Sequence, residues 1–285
     1  MVLSRNLSIR RILVAVDGSP QSLAAVGAAV ELGRKLEAEL HGLFVEDIDL
    51  LQLAASPFAR EFLLPTAKET PLNQTGMERI LKAQAEQAQK ALSDAAEKAK
   101  ISWTFRVVRG SVASEVLAAA ASCDLLTLGW RGWSLARRPR IGSTASAAVS
   151  KAMPAMLLSE LGTISDLPVV VCYDGSASMR TAVLAAAELA QIGAQDLRVI
   201  LLSEPHSWEN LRREIANLLA EKPIQPKLTY ASSDDRAKLY QAIRRELPAL
   251  LILPDGKSSL PLELVTKLAD EVDFSVLFLG EASTS

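Results

Sequence analysis

Histidine, cysteine and aromatic side chains are scarce in this chain of 285 residues, which has two histidines and two cysteines. His41 enters a strand-like segment and His206 lies in a loop-like one. This argues against histidine-based acid–base catalysis and against a histidine-rich metal site. Cys123 and Cys172 lie beside apolar, strand-like runs, where buried hydrophobic side chains are favoured over a disulfide or a redox pair. These features predict a reducing, cytoplasmic location.

Long apolar runs and an excess of one charge are missing as well. The run Ile12–Val16 near the N-terminus is far too short for a signal-peptide core or a membrane span. The 31 basic and 33 acidic side chains nearly cancel, so no overall field draws the molecule to nucleic acid or to a membrane surface. We therefore expect neither a nucleic acid nor a membrane as partner.

Three glycines stand out in residues 125–146. A short apolar run ends at Gly129, Gly132 follows, and the pair Gly142-Ser143 opens an Ala/Val-rich helical pattern. A glycine at the end of a strand lets a ligand approach the backbone, and the positive end of a helix suits a phosphate. A plain turn followed by a helix cap is the alternative interpretation.

Positive charge is concentrated around these glycines. Residues 125–159 contain no Asp or Glu, so their basic side chains are not neutralised locally, and an anion is expected here. The basic residues are Arg131, Arg137, Arg138, Arg140 and Lys151.

The first half of the chain alternates between strand and helix patterns, which predicts an α/β fold with a right-handed, doubly wound, five-stranded parallel sheet. The connection 46–74 contains three prolines, which argue against one continuous helix, and it is placed to cover a site. The predicted strands are Ile12–Val16, Leu40–Val45, Ser102–Val108, Leu125–Leu128 and Ala155–Ser159; the predicted helices begin at Pro20, Thr75, Ser111 and Ser143.

In a doubly wound sheet, ligands bind beyond the carboxyl ends of the strands where the winding reverses, so Asp17 and Gly129 are expected to face each other. Asp17 then suits ribose hydroxyls or a metal ion on the phosphates. Equally, it can organise a turn with Gly18 and Ser19.

The spacing Gly129-x2-Gly132-x9-Gly142-Ser143, together with Asp17-Gly18-Ser19, resembles the motif of the ATP-binding branch of the universal stress proteins. The resemblance implies an adenine nucleotide hydrolase-like (Rossmann-like) fold. It also implies that ATP or another adenine nucleotide binds, with or without Mg²⁺ at Asp17. The binding residues that it implies are Ala15, Val16, Asp17, Val45, Gly129, Arg131, Gly132, Gly142, Ser143 and Thr144. Trp130 and Trp133 depart from the pattern because they are bulky, and they can stack on a base, narrow the site or pack in the core, which is favoured.

The second half repeats the first. Asp174-Gly175-Ser176 follows an apolar run as Asp17-Gly18-Ser19 does, which predicts an internal duplication with domains at residues 1–160 and 167–285. The second copy has Pro254-Asp255-Gly256-Lys257 in place of the glycine motif, so we expect no ATP there. Lys257 is interpreted as a solvated loop residue or as a contact for a smaller anion.

The resemblance also implies how the chain assembles. The last strands of the two copies, Ala155–Ser159 and Ser275–Leu279, are expected to pair antiparallel within one chain, as in a covalently linked dimer, which removes two exposed edges. Two such chains can associate further as a homodimer.

Three functions are considered. The first is an ATP-binding, non-catalytic regulator in the stress response that is sensed by protein partners, with at most slow hydrolysis. The second is a nucleotide-free interaction module that uses the Trp130/Trp133 loop and residues 46–74. The third is an ATPase or adenylyl-transfer enzyme, for which no catalytic residue is predicted, because nucleophile-elbow, P-loop, His-x-Gly-His and Ser-Gly-Gly-x-Asp-Ser motifs are all absent.

Overall fold

The computed structural model describes residues 9–56, 60–63, 68–71, 73–130, 143–150, 155–159, 161–232, 235–254, 262–269, 271–272 and 274–280. Its strands are Arg11–Ala15 (β1), Glu39–Asp47 (β2), Arg60–Leu63 (β3), Lys68–Pro71 (β4), Trp103–Gly110 (β5), Leu125–Gly129 (β6), Ala155–Ser159 (β7), Val169–Tyr173 (β8), Leu197–Leu202 (β9), Lys227–Ala231 (β10), Leu250–Pro254 (β11) and Ser275–Leu279 (β12). Its α-helices are Pro20–Leu36 (α1), Ile48–Ala55 (α2), Gln74–Ala99 (α3), Val112–Ala120 (α4), Ser143–Ser150 (α5), Ala177–Gly193 (α6), Trp208–Leu218 (α7), Arg236–Glu246 (α8) and Leu262–Ala269 (α9), with a short 3₁₀-helix at Pro205–Ser207.

Among the described residues, ten strands form one sheet in the order β10-β9-β8-β11-β12-β7-β6-β1-β2-β5, and β3 and β4 form a separate hairpin. The five strands β7-β6-β1-β2-β5 are parallel to one another, and so are β12-β11-β8-β9-β10. Both sets have the same order, with the winding reversing between the first and fourth strands of each. The predicted α/β fold class with two repeated, doubly wound parallel sets is confirmed. The domain boundaries at 1–160 and 167–285 stay a prediction.

The two sets meet where β7 pairs antiparallel with β12, in a register that runs from Ala155 opposite Leu279 to Ser159 opposite Ser275. The hydroxyl groups of Ser159 and Ser275 are hydrogen-bonded at 2.9 Å across this pair. The expected intrachain pairing is confirmed.

Continuous apolar runs account for the centre of the sheet. Every residue of β7, β8 and β11 is buried, as expected for strands that are covered on both faces. Cys123 and Cys172 are free and buried, which agrees with their interpretation as small core residues. Burial raises the pKa of Cys172 to about 12, so this thiol is held in its neutral form.

The structure adds detail on two helix caps and one loop. The long helix α3 is capped by Asn73, which accepts a hydrogen bond from Gly76 N at 2.7 Å, and it begins at Gln74, one residue before the predicted start at Thr75. Helix α6 is capped by Ser176. The connection 46–74 is not one helix, as expected, but it contains α2 and the β3–β4 hairpin, which sequence pattern did not predict.

The duplication is visible in local geometry. Gly18 and Gly175 have φ of +78° and +88°, a conformation that favours glycine. Both α1 and α6 have 17 residues, and both end at a residue in the left-handed region. The repeated Asp-Gly-Ser sequence therefore specifies the same strand, turn and capped helix twice.

The segment between the two sets is fixed against α1. Glu31 accepts hydrogen bonds from Thr163 Oγ1 at 2.7 Å, Ile164 N at 2.7 Å and Ser165 N at 2.9 Å. Partial burial raises the pKa of Glu31, but these hydrogen bonds outweigh it, and the net pKa lies below the ordinary value of 4.5.

Across the described residues, no helix is both long and apolar enough to cross a bilayer.

The contact between α1 and the segment 161–165 predicts different effects for two glycines of the same helix. A Cβ at Gly27 would overlap the carbonyl oxygen of Gly162, whereas at Gly33 the nearest atom is a flexible one, Leu40 Cδ2 at 3.2 Å. Alanine gains about 1 kcal/mol of helix propensity over glycine at either position. We expect Gly27→Ala to lower the free energy of unfolding by about 1–3 kcal/mol and Gly33→Ala to change it by about 1 kcal/mol or less.

Urea denaturation of the two variants beside the parent chain measures this difference. Equal stability of Gly27→Ala and Gly33→Ala would contradict the close approach of α1 to Gly162.

Glu31 predicts a pH dependence of stability. Its folded-state pKa lies below the unfolded value near 4.5, so its contribution is present above that value and is lost as the pH falls through the folded pKa. We expect the difference in melting temperature between the parent chain and Glu31→Gln to shrink as the pH falls from about 7 to about 4. A difference that stays constant or grows over this range would show that the carboxylate is not stabilised by the segment 163–165.

Candidate functional site

A cavity of about 430 Å³ opens at the carboxyl ends of β1, β2, β5 and β6, where the strand order reverses between β1 and β6. The first residues of α4 and α5 and the start of α2 complete its walls. This is the position at which doubly wound sheets bind ligands.

The cavity brings most of the predicted binding residues together. Those that line it are Ala15, Val16, Asp17, Val45, Gly129, Ser143 and Thr144. Arg131, Gly132 and Gly142 lie outside the described residues, as do Arg137, Arg138, Arg140, Lys151, Trp133 and Lys257. The binding role of each residue stays a prediction.

The turn after β1 holds Asp17 in the cavity wall. Asp17 Oδ1 accepts a hydrogen bond from Ser19 N at 2.9 Å, and Ser19 Oγ accepts one from Ser22 N at 3.2 Å. Ser22 Oγ in turn accepts a hydrogen bond from Asp17 N at 3.3 Å. Asp17 therefore organises the turn that leads to Ser19, the N-cap of α1, in addition to lining the cavity.

Gly129 is required by the fold itself. A Cβ at this position would lie 2.9 Å from Gln21 C and from Ser22 N, which are backbone atoms at the start of α1. The sequence interpretation gave close ligand approach as the reason for this glycine. The structure adds a second reason, because only glycine lets β6 and the first turn of α1 come this close.

Sequence reasoning missed several lining residues. Ser111, Val112 and Ala113 lie where β5 joins α4, and Asp47, Asp49 and Leu50 come from the start of α2. A signal existed for the first group, because Gly110-Ser111 ends a parallel strand and must lie at the same edge as Asp17 and Gly129. The helical pattern after it predicts only that a helix begins at Ser111. Gln84, on α3, had no sequence signal.

The described lining is acidic. It contains Asp17, Asp47 and Asp49 but no Lys, Arg or His. Asp47 Oδ1 accepts a hydrogen bond from Asp49 N at 2.9 Å and so caps α2. An anionic ligand in this cavity therefore needs positive charge from a bound cation or from basic side chains outside the described lining.

The corresponding positions of the second copy are filled. Tyr173 is the last residue of β8 and corresponds to Val16, which directly follows β1; it is fully buried, and its hydroxyl donates to Glu214 Oε2 at 2.7 Å. Burial and this hydrogen bond raise the pKa of Tyr173, so the phenol stays neutral. The replacements from the first copy to the second are Val16 to Tyr173, Ser22 to Met179 and Gly129 to Pro254.

Trp130 packs in the core. It is 1% exposed and contacts the ring of Phe274, with centroids 5.8 Å apart. It therefore does not line the cavity or plug it. Trp130 is also not available as the partner-binding surface that the interaction-module hypothesis assigned to it.

The strand order and the cavity at its reversal define a doubly wound α/β protein with a small-molecule site at the carboxyl edge of the sheet. A sequence model of the universal stress protein family matches residues 8–157, more than half of the chain. The chain therefore belongs to the universal stress protein family.

Solved structures share the fold over nearly the whole chain. A universal stress protein from Archaeoglobus fulgidus superposes with a TM-score of 0.70 at 14% identity and covers 98% of this chain and 99% of its own. A functionally unknown protein from Pseudomonas aeruginosa gives 0.59 at 12% identity, covering 95% and 92%. Another structure from Pseudomonas aeruginosa, of a protein named as a universal stress protein, gives 0.57 at 12% identity, covering 95% and 93%. A search of curated protein sequences finds no match.

Proposed function

We propose that the N-terminal half of the chain (residues 9–159) binds ATP in the cavity between β1 and β6, and that the protein is a non-catalytic regulator whose nucleotide-bound state is sensed by protein partners. The observation that carries this proposal is that seven predicted binding residues, from three strands and a helix start, line one cavity of about 430 Å³. Membership of the universal stress protein family supports it.

The lining suits the parts of a nucleotide. The volume of the cavity lies in the range of about 300–1,000 Å³ that is usual for small-molecule sites. Leu50, Leu81, Val112 and Val116 give an apolar wall for a base. Helix α5 begins at Ser143 and presents Ser143 and Thr144 to the same space, and a helix start favours a phosphate.

The acidic lining shapes the proposal further. Because Asp17, Asp47 and Asp49 repel a triphosphate, ATP binds with Mg²⁺, which neutralises part of the charge, and with the arginines that follow Gly129 in sequence. Asp17 is the residue that would hold the cation, directly or through water.

Asp17 and its copy Asp174 allow a matched test. Each accepts a hydrogen bond at 2.9 Å from the serine two residues later, and asparagine keeps this acceptor while removing the charge. We expect Asp17→Asn to weaken binding of Mg²⁺–ATP roughly tenfold, because the cation loses its carboxylate, and Asp174→Asn to leave it unchanged. Isothermal titration calorimetry measures both.

Equal affinities of the two asparagine variants would assign Asp17 to the turn alone. If the parent chain takes up no adenine nucleotide, with or without Mg²⁺, the proposed function itself is wrong. Release of phosphate that Asp17→Asn abolishes would favour a slow ATPase.

Substitutions at Val16 test whether ATP binds in this cavity, because the corresponding residue of the second copy is Tyr173. Val16→Tyr introduces the side chain that fills the second copy, so we expect ATP binding to weaken by about tenfold or more through occlusion. Val16→Ala is the control at the same position, because it leaves the space open, and it should bind ATP nearly as the parent does. Thermal melts check that both variants fold. Similar ATP affinities for folded Val16→Tyr and Val16→Ala would place the nucleotide elsewhere.

A further inference from the structure

A second cavity, of about 540 Å³, lies in the C-terminal half (residues 161–280) at the carboxyl ends of β9 and β10. It is formed by Glu204 and Pro205 after β9, by Ser232 after β10 and by one face of α8 from Ala237 to Arg245. The first cavity uses the equivalent region of its own half, with Asp47 at the end of β2 and Ala113 in the first turn of α4. The second copy has thus filled the inner part of its cleft with Tyr173 and kept the outer part.

One wall of this second cavity is aromatic and fixed. The rings of Trp208 and Tyr230 are in contact, with centroids 4.9 Å apart. Trp208 Nε1 donates to Ser203 O at 2.9 Å, and Ser232 Oγ donates to Glu204 Oε1 at 2.7 Å. Tyr230 is nevertheless 41% exposed. A planar ligand can therefore stack on a wall that is already ordered, which reduces the entropic cost of binding.

The charges of the lining point to one anionic group. The lining contains two basic side chains, Lys238 and Arg245, and one carboxylate, Glu204. Lys238 pairs with Asp235 at 3.2 Å, and Glu204 is engaged by Ser232. Arg245 has no ion-pair partner within the part of the chain that the structure describes. Its planar guanidinium matches a carboxylate in two parallel hydrogen bonds.

The second cavity is less suited to a phosphate than to a carboxylate. Asp235 Oδ1 already accepts from the backbone N–H groups of Ala237 and Lys238, at 3.0 Å each. The start of α8 therefore offers a ligand fewer free amide groups than an uncapped helix would. The chemistry of this cavity favours an aromatic ring with a carboxylate over a nucleotide.

We propose that the C-terminal half binds a small aromatic carboxylate, with its ring against Tyr230 and Trp208 and its carboxylate on Arg245. This site is separate from the proposed ATP cavity and does not depend on it.

The probe is 2-naphthoate, titrated calorimetrically into the full chain. Two analogues separate the contributions of ring and charge: 2-naphthalenemethanol keeps the rings without the charge, and cyclohexanecarboxylate keeps the charge without the aromatic ring. We expect saturable binding of 2-naphthoate with a stoichiometry near one, and binding of either analogue that is weaker by about tenfold or more. Absence of saturable 2-naphthoate binding overturns the proposal.

Two adjacent arginines of α8 supply the matched variants. Arg245→Gln removes the proposed anion contact and is expected to weaken 2-naphthoate binding about tenfold. Arg244 instead forms an ion pair with Glu271 at 3.2 Å, so Arg244→Gln should bind the probe as the parent does. Trp208→Leu should also weaken binding, because the aromatic wall is lost.

Equal probe affinities for Arg245→Gln and Arg244→Gln would overturn the assignment. So would displacement of 2-naphthoate by ATP, because the probe would then occupy the first cavity. Binding of 2-naphthoate by a chain that takes up no ATP would support this inference while the proposed function fails, so the two outcomes are distinguishable.

Discussion

The antiparallel pairing of β7 with β12 is the constraint on which the rest of the structure depends. Without it, each parallel set would end in an unpaired strand that is apolar except for one serine, which is a template for aggregation. All five residues of β7 are buried, and the pair Ser159–Ser275 is satisfied by its own hydrogen bond. Because each set is internally parallel and the junction is antiparallel, the carboxyl edges of the two sets point in opposite directions. The two cavities therefore lie at opposite edges of one sheet.

This arrangement gives the C-terminal half a role even where its own inner cleft is filled. It covers the edge of β7, and its Phe274 holds Trp130, the residue that directly follows Gly129 in the wall of the first cavity. The segment 163–165 is likewise tied to Glu31 of α1, whose opposite end carries the turn of Asp17. Residues of both halves thus support the walls of the proposed nucleotide site. A substitution at the junction can affect these walls through Trp130 or through α1.

The sequence predicted features that depend on strong local patterns. Apolar runs, Asp-Gly-Ser turns and the repeated order of elements were enough to predict the doubly wound fold and to expect Asp17 and Gly129 on one crevice at its reversal point. Three kinds of feature escaped it. Helix α2 begins with Asp47 as its cap, but the prolines of the surrounding connection masked this local signal. Gln84 lies in the cavity only because α3 crosses near Gly18, and such a tertiary approach has no sequence pattern. The second reason for Gly129, its distance from the backbone of α1, is equally a property of packing.

The difference between the two copies shows that a ligand cleft in this fold is closed by new side chains that fill it, as well as by loss of the glycine motif. A doubly wound sheet leaves a crevice at its reversal point by topology alone. Removal of the glycine motif alone would therefore leave an empty apolar cavity or a water-filled one. Tyr173 fills this position in the second copy, but a buried phenol needs a hydrogen-bond partner. Glu214 accepts that bond at 2.7 Å, and Arg180 lies 3.6 Å from the same carboxylate oxygen and balances its charge. Tyr173 of β8, Arg180 of α6 and Glu214 of α7 therefore form one cluster in the filled cleft, in which the buried hydroxyl has a hydrogen-bond partner and the carboxylate has a counter-charge. Because that cluster occupies only the inner part of the cleft, the outer part between β9 and β10 stays open to a ligand of different chemistry.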